Sequence, residues 1–100
     1  MQVVLATRAE RSLKKAPKQV AANFLLWKKE VEEHGIEEVR KIPGYHDEPM
    51  QGKLKGYVRS VRAGLGYRIF YRIIGDTIKC VSVEEVTHHD YKKIERLFGL

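Results

Sequence analysis

The sequence predicts an α+β domain with the element order β-α-α-β-β-β-α, in which helices pack on one face of a small, antiparallel-rich sheet. Three observations carry this prediction: an apolar helix face in the first third of the chain, three β-rich runs with glycine turns, and a last segment with helical spacing. The length of 100 residues suits a single domain, over residues 1–100, with one core.

The N-terminal region is predicted to form one strand and one short helix. The apolar run Gln2–Ala6 predicts the strand, and the segment Arg8–Ala16 predicts a helix with a basic side. Thr7 is followed by Glu10 at the spacing of a capping box, in which each side chain satisfies a backbone N–H of the first turn. We therefore expect Thr7 to cap this helix.

The second helix is the clearest element of the sequence. Pro17 suits its first turn, and Gly35 suits its end, because glycine tolerates the backbone conformation found past a helix C-terminus. One continuous apolar face lies at helical spacing: Val20, Phe24, Trp27 and Val31. Ile36–Lys41 predicts a further helical turn, and His46–Gly56 a connecting loop.

The second half of the chain predicts an antiparallel meander followed by a helix. Its β-rich runs and the turns between them are Tyr57–Ala63, Gly64–Gly66, Tyr67–Ile74, Gly75-Asp76 and Thr77–Val86. In the segment Asp90–Phe98, Tyr91, Ile94 and Leu97 recur at helical spacing. This spacing predicts the last helix and suggests that Tyr91 belongs to its buried side.

Strand alternation separates the side chains of the middle run into two sets. Ile69, Tyr71 and Ile73 share one face, and Arg68 and Phe70 share the other. Arginines among apolar strand residues are typical of a sheet face that is part core and part functional site.

Composition excludes several classes of protein. The single cysteine, Cys80, cannot form an intrachain disulfide or a cysteine zinc cluster, which fits a reducing compartment. No apolar run approaches the roughly 20 residues of a membrane span, and the N-terminus has no signal-peptide core. We therefore expect a cytoplasmic protein that is neither secreted nor inserted in a membrane.

The formal net charge of +6 is concentrated in the second half of the chain. Between Gln51 and Gly75 there is no acidic residue, and six basic residues form what we call the basic stripe: Lys53, Lys55, Arg59, Arg62, Arg68 and Arg72. Such a stripe suits a polyanion, because each neutralised phosphate releases counterions. An acidic protein partner would use the same residues, and a merely solvated basic face is the alternative.

The residues favour chemistry that needs neither a metal nor a cofactor. His88 and His89 are adjacent, so on a strand they would point to opposite faces rather than share a metal, and no P-loop or dinucleotide fingerprint is present. RNA cleavage needs only a base for the 2′-OH, cations at the phosphate and an acid for the leaving oxygen. The basic stripe and the histidines could supply these groups.

Five residues are candidates for this chemistry. Arg68 is a candidate phosphate clamp, because a guanidinium can hold two phosphate oxygens. His88 or His89 could act as acid or base near neutral pH, and Glu48 is a candidate base in the predicted loop. Tyr91 could stack on a base or donate a proton. The competing interpretation is that the histidines are a solvated strand end and that Tyr91 belongs to the core.

Several short strings, in this order and spacing, resemble the RelE/ParE superfamily of type II toxin–antitoxin toxins. They are Glu48-Pro49-Met50-Gln51-Gly52, Lys55-Gly56-Tyr57, Arg59-Ser60-Val61-Arg62, Tyr67-Arg68-Ile69-Phe70-Tyr71 and His88-His89-Asp90-Tyr91. The resemblance covers nearly the whole chain. It implies a RelE-like toxin domain and an endoribonuclease that cuts mRNA in the A site of the 70S ribosome without a metal. It also implies a cognate antitoxin.

The resemblance also implies roles for single residues. Arg68 matches the arginine that stabilises the transition state, and Glu48 matches the basic glutamate of the YoeB branch. A YafQ-like ending favours His88 as the catalytic histidine, a YoeB-like ending favours His89, and Tyr91 matches the C-terminal aromatic residue in both. Lys53 and Lys55 would contact RNA backbone from the predicted loop.

Arg59 and Arg62 are both candidates for phosphate contact. Val58 looks like one extra residue before the Arg-Ser-x-Arg string, and a bulge there would re-aim both arginines. Which of the two faces the phosphate is therefore open.

Two other functions remain open at this point. A toxin of the ParE branch would bind and poison DNA gyrase with the same fold and would need no acid or base. A basic RNA-binding module without activity would bind RNA in a salt-sensitive way without cleaving it. The His88-His89-Asp90-Tyr91 ending favours the nuclease.

Overall fold

The computed structural model describes residues 1–75, 80–88 and 91–99, with side chains for all of these except 80–82, 84, 88 and 91. Within them the strands are β1 (Gln2–Leu5), β2 (Glu48–Pro49), β3 (Arg59–Gly64), β4 (Tyr67–Ile74) and β5 (Cys80–His88). The helices are α1 (Thr7–Lys15), α2 (Lys18–His34), α3 (Ile36–Val39) and α4 (Tyr91–Leu97). In this part of the chain, no helix combines the length and the apolar composition that crossing a bilayer requires.

The strands form one sheet in the order β1-β5-β4-β3-β2. β1 is parallel to β5, and the other neighbours are antiparallel, so the predicted antiparallel-rich α+β fold is confirmed. The predicted glycine turn also forms, because β3 ends at Gly64 and β4 begins at Tyr67. Thr77–Lys79, the predicted beginning of the third run, lies outside the described residues, as do Asp76 and Asp90.

Strand β2 lies in the segment that the sequence predicted to be a loop. Glu48 pairs with Ser60 and Pro49 pairs with Arg59, so β2 is a two-residue strand at the sheet edge. Proline is tolerated there because an edge strand can leave one side of its backbone unpaired. The segment then returns to the sheet, since the Met50 N–H donates to the Val58 carbonyl at 3.1 Å.

The expected capping of α1 by Thr7 is wrong. The helix begins at Thr7 itself, and Ala6 occupies the cap position without a side-chain hydrogen bond. Ala6 joins the strand to the helix, because its N–H donates to the Val83 carbonyl at 2.9 Å and its own carbonyl accepts the Glu10 N–H at 3.1 Å. Thr7 is therefore one position too late in the chain to cap the helix, because Ala6 already stands at the cap position.

Helix α2 carries the main core, as its apolar spacing predicted. Its four predicted face residues are buried and pack with the side chains of β3 and β4 that point to the same side, including Val61, Ile69 and Tyr71. We call this side of the sheet the α2 face. Gly35 ends the helix with a positive φ of 84°, and its N–H donates to the Val31 carbonyl at 2.8 Å. Leu25, by contrast, is 62% exposed, so α2 is buried on one side only.

A second, smaller core lies on the opposite side of the sheet, which we call the Arg68 face. This second core consists of Met50, Leu54, Val58, Phe70 and Ile94. The expectation that all helices pack on one face is therefore wrong, because α4 packs through Ile94 against the face opposite α2. The reason lies in β4, where Phe70 presents a large apolar side chain between Arg68 and Arg72 that has to be covered.

We expect Trp27→Ala to lower the free energy of unfolding by about 3–5 kcal/mol, because it removes a fully buried indole and leaves a cavity. The ring packs against Phe24 and Tyr71, with centroids at 6.2 and 5.4 Å. Urea unfolding followed by circular dichroism measures the change. Leu25→Ala, on the exposed side of the same helix, is the control and should change stability by no more than about 0.5 kcal/mol. Equal losses in both variants would contradict this account of the core.

Candidate active site

Arg68 is a buried arginine whose hydrogen bonds fix its orientation. Its side chain on β4 is only 10% exposed. Nε donates to Ser60 Oγ at 3.0 Å, and Nη2 donates to the His46 carbonyl at 2.8 Å and to the Ser60 carbonyl at 3.2 Å. No hydrogen bond among the described residues uses Nη1. The guanidinium is thus held along one edge by the protein.

Glu48 lies beside this guanidinium. Its Oε1 is 3.6 Å from Arg68 Nη2, and its side chain is 47% exposed. The contact follows from the unpredicted strand β2, because pairing Glu48 with Ser60 brings it to the residue that Arg68 also binds. Two of the residues singled out in the sequence therefore lie together, one a buried cation and the other a carboxylate open to solvent.

The two arginines of β3 lie in different surroundings. Arg62 is exposed and pairs across the strands with Arg68, so both belong to the Arg68 face. Arg59 pairs with Tyr71 on the α2 face, and its Nε donates to Asp47 Oδ1 at 2.6 Å. The register irregularity of β3 lies between Arg62 and Gly64 rather than at Val58.

The end of β5 lies beside Arg68. The register pairs Thr87 with Arg68 and His88 with Tyr67, and Tyr91 is the first residue of α4. Lys93 of α4 also reaches this end of the sheet, since its Nζ is 3.4 Å from Thr87 Oγ1. The roles assigned to the His88 and Tyr91 side chains remain predictions, and His89 lies outside the described residues.

The basic stripe is divided among several surroundings. Lys53, in a 3₁₀ turn at Gly52–Leu54, and the following Lys55 are exposed. Arg72, farther along β4, donates from Nη1 to the Tyr57 hydroxyl at 2.8 Å, and its guanidinium carbon is 5.2 Å from the centroid of that ring. The basic stripe therefore does not form one continuous cationic surface. Arg62 is the exposed arginine that lies opposite Arg68 in the sheet.

A buried acidic residue that the sequence analysis did not select lies next to the site. The Asp47 side chain is 1% exposed. Its Oδ1 accepts from Arg59, its Oδ2 accepts from the Tyr71 hydroxyl at 2.5 Å, and Arg40 Nε donates to that hydroxyl at 3.1 Å. In the described residues, no group of three histidine, cysteine or acidic side chains forms a candidate metal site.

The electrostatics of this network follow from burial and from the Asp47 charge. Burial and the bond to Asp47 raise the pKa of Tyr71, although Arg40 acts in the opposite direction. Burial alone would lower the pKa of Arg59, but its hydrogen bond to Asp47 and the Asp47 charge raise it. Both neighbours therefore keep their protons and remain donors to the carboxylate.

One feature of the sequence could have indicated Asp47. Arg59 falls in the same alternating set as Val61 and Ala63, which face the main core. A cation at the border of a core needs a hydrogen-bonded counter-charge. The acidic residues just before the basic stripe, Asp47 and Glu48, were therefore candidates for this counter-charge, although the sequence does not show which of them reaches Arg59.

The sequence matches no protein-family model and no curated protein. The structure has the fold of the RelE/ParE superfamily of toxins, so the resemblance seen in the sequence is confirmed at the level of the fold. YafQ from E. coli matches with a TM-score of 0.67 and 16% identity, over 88% of this chain and 92% of that one.

Two further structures have the same fold. A YoeB/ParE toxin from Agrobacterium tumefaciens matches with a TM-score of 0.64 and 17% identity, over 90% of this chain and 100% of that one. The RelBE toxin–antitoxin complex from Mycobacterium tuberculosis matches with a TM-score of 0.61 and 27% identity, over 88% of this chain and 96% of that one. The structural neighbours of this chain are thus toxins of toxin–antitoxin systems.

We expect Tyr71→Phe to lower the free energy of unfolding by about 1–3 kcal/mol, because it leaves the buried Asp47 carboxylate without one of its donors. Tyr57→Phe is the matched control. It also removes a hydroxyl bonded to an arginine, but the Tyr57 side chain is 48% exposed, so the change should stay within about 0.5 kcal/mol. Urea unfolding measures both. A Tyr71→Phe protein as stable as the Tyr57→Phe protein would show that the buried bond contributes nothing.

We expect the protein to lose stability as the pH rises from about 10 to about 12. Burial, the hydrogen bond to Glu30 and the Glu30 charge raise the pKa of Tyr45 to about 12. An unfolded tyrosine ionises near pH 10. Above that pH only the unfolded state releases the proton, so stability present below pH 10 is lost as the pH rises through the folded pKa.

The ultraviolet absorbance of phenolate follows this titration directly, and urea unfolding at each pH follows the stability. Tyr45→Phe should remove one late-ionising tyrosine and make the fall in stability less steep. If all five tyrosines of the native protein ionise together near pH 10, the assignment is wrong.

Proposed function

We propose that this chain is the toxin of a type II toxin–antitoxin system and acts as a metal-independent endoribonuclease on mRNA in the ribosomal A site. One observation carries the proposal: the Arg68 guanidinium and the Glu48 carboxylate lie 3.6 Å apart on one sheet face. A cation beside a solvent-accessible carboxylate offers two of the three groups that RNA cleavage by the 2′-OH requires, the cation at the phosphate and the base. The fold shared with YafQ and with a RelBE toxin–antitoxin complex supports the toxin part of this proposal.

In the proposed reaction, the 2′-oxygen attacks the adjacent phosphorus while a base removes its proton. The bond from phosphorus to the 5′-oxygen breaks, and an acid protonates that oxygen. The products are a 2′,3′-cyclic phosphate and a 5′-OH end. Arg68 stabilises the charge on the phosphoryl oxygens. Because Ser60 and His46 already hold Nε and Nη2, this cation needs little reorganisation when charge develops.

The remaining candidates complete the proposed site. Glu48 is a candidate base, and His88 or His89 transfers the second proton, since imidazole titrates near neutral pH. Tyr91 positions a base of the mRNA by stacking. The other exposed cations bind RNA backbone away from the reacting atoms: Lys53, Lys55 and Arg62. Arg59 is the weaker candidate for this role, because its Nε is bonded to Asp47.

The proposed partners follow from this activity. The substrate is mRNA in the 70S ribosome, which implies a cytoplasmic protein. A cognate antitoxin is proposed because the RelBE structure is a toxin–antitoxin complex. We expect an acidic antitoxin segment that folds on binding, covers Arg62, Lys53 and Lys55, and competes with α4 for the second core.

Primer extension on an mRNA in a purified translation system tests the proposal. The wild-type protein should produce breaks within codons only when ribosomes are present. Arg68→Ala should lower the cleavage rate about 10²–10³-fold, as expected for removing a donor that stabilises developing charge. Glu48→Gln, His88→Ala and His89→Ala then identify the residues that transfer protons.

Arg11→Ala is the matched control, because Arg11 is an exposed arginine on α1 and should leave cleavage unchanged. Arg68 is buried, so each variant is first checked for folding by circular dichroism. Arg62→Ala, which changes an exposed side chain, tests the same face without that risk. Intact mRNA with folded wild-type protein would overturn the proposal, and inhibition of DNA supercoiling would then favour the gyrase-poisoning alternative.

A further inference from the structure

The three residues His46–Glu48 contact two arginines of the sheet, the buried Arg68 and the half-buried Arg59. The His46 carbonyl accepts from Arg68, the Asp47 carboxylate accepts from Arg59, and Glu48 lies beside Arg68 again. The His46 carbonyl and the Glu48 carboxylate thus reach Arg68, whereas the carboxylate of Asp47 between them reaches Arg59 and Tyr71 of the α2 face.

His46 ends the 3₁₀ turn Pro43–Tyr45 in an uncommon backbone conformation. His46 has a φ of 47° and a ψ of 50°, in the left-handed region that residues other than glycine rarely adopt. Such a conformation persists only where surrounding contacts enforce it. The residue after His46 makes such contacts, because the Asp47 carboxylate is buried and bonded to Arg59.

Of the three residues, Asp47 has the most buried side chain, and its hydrogen bonds fix the position of the segment. Its carboxylate is almost fully buried and receives two short hydrogen bonds, from Arg59 at 2.6 Å and from Tyr71 at 2.5 Å. Arg40 bonds the same tyrosine hydroxyl, which leaves its proton directed at Asp47. If this carboxylate moved away, the Tyr71 hydroxyl and Arg59 Nε would lose their acceptor, so these bonds oppose movement of the segment.

We propose that Asp47 is a positioning residue for the active site, which acts by holding the His46 carbonyl and the Glu48 carboxylate against Arg68. This inference rests on the proposed function, because it assigns Asp47 a part in the same reaction. Asp47 itself does not contact Arg68. It acts through the two peptide bonds that flank it, and it fixes both the acceptor that orients Arg68 and the carboxylate beside it.

Asp47→Asn is the first test, because the amide keeps the size of the side chain and one acceptor but loses the charge that holds Arg59. We expect kcat for mRNA cleavage to fall about 10–100-fold with little change in KM, as for a misplacement of catalytic groups by about 1 Å. Glu38→Gln is the matched control. It removes one negative charge from a nearby exposed pair with Lys41 and should leave cleavage unchanged.

A double-mutant cycle separates positioning from loss of stability. If Asp47 acts through Glu48, Asp47→Asn should cost much less in a Glu48→Gln background than in the wild type. If the losses of the two single variants simply multiply, Asp47 acts independently of Glu48, and the part of the proposal that concerns Glu48 is overturned.

A measurement that needs no activity keeps this inference distinct from the proposed function. The Arg68 Nε–H is bonded to Ser60 in a buried position, so its exchange with solvent is followed by nitrogen-edited NMR. Asp47→Asn should speed this exchange about tenfold or more, as expected for loss of a hydrogen bond to a charged group in the supporting segment. Glu38→Gln should not change it.

The outcomes separate the two proposals. If the folded wild-type protein cleaves no mRNA but Arg68 exchange responds to Asp47→Asn, the proposed function fails and the structural part of the inference stands. If the wild type cleaves and Asp47→Asn changes neither kcat nor exchange, the positioning role is wrong. Should Asp47→Asn fail to fold, Tyr71→Phe takes its place, because it keeps the carboxylate and removes only one donor.

Discussion

The buried Arg68 guanidinium is the constraint on which the architecture of this region depends. A cation removed from water needs acceptors with good geometry, and none of those that Arg68 uses comes from its own strand. Ser60 supplies two of them from β3, and His46 supplies the third from the segment before β2. The Arg68 side chain thus links its own strand to β3 and to the segment before β2.

The two faces of the sheet have divided roles as a consequence. The α2 face is a conventional apolar core, in which Trp27 packs against Tyr71 and the helix covers the strands. The Arg68 face is apolar where Phe70 and Ile94 meet. Its polar end holds the candidate active site. The Asp47 network joins the two faces, because its carboxylate is buried on one side while its neighbours contact Arg68 on the other.

The sequence was sufficient for those features that depend on local periodicity. The spacing of Val20, Phe24 and Trp27 identified the helix and its buried side, and Gly35 identified its end. Alternation in β4 separated Arg68 from Tyr71 correctly. These features could be predicted because each depends on residues close together in the chain.

Other features depend on contacts between distant segments and could not be read in the same way. Strand β2 forms because Glu48 and Pro49 pair with residues of β3. A run of two residues is too short to show the alternation by which strands are recognised in a sequence. The position of α4 follows from which side of β4 was left uncovered. Asp47 resembled an ordinary loop residue, because its importance arises from Arg59 and Tyr71. The candidate residues of the site were recognised from motifs, whereas the hydrogen bonds that hold them had to come from the structure.

The parallel pairing of β1 with β5 has a consequence for the order of folding. Gln2 lies opposite Cys80, so the first strand made during synthesis has no partner until most of the chain has followed. Pairing between such distant segments is slow, because the entropy of closing a long loop is lost before the contacts form. A nascent chain therefore completes its sheet only late in its own translation. Until then, strand β5 is missing beside Arg68, and the Arg68 face of the nascent chain is incomplete.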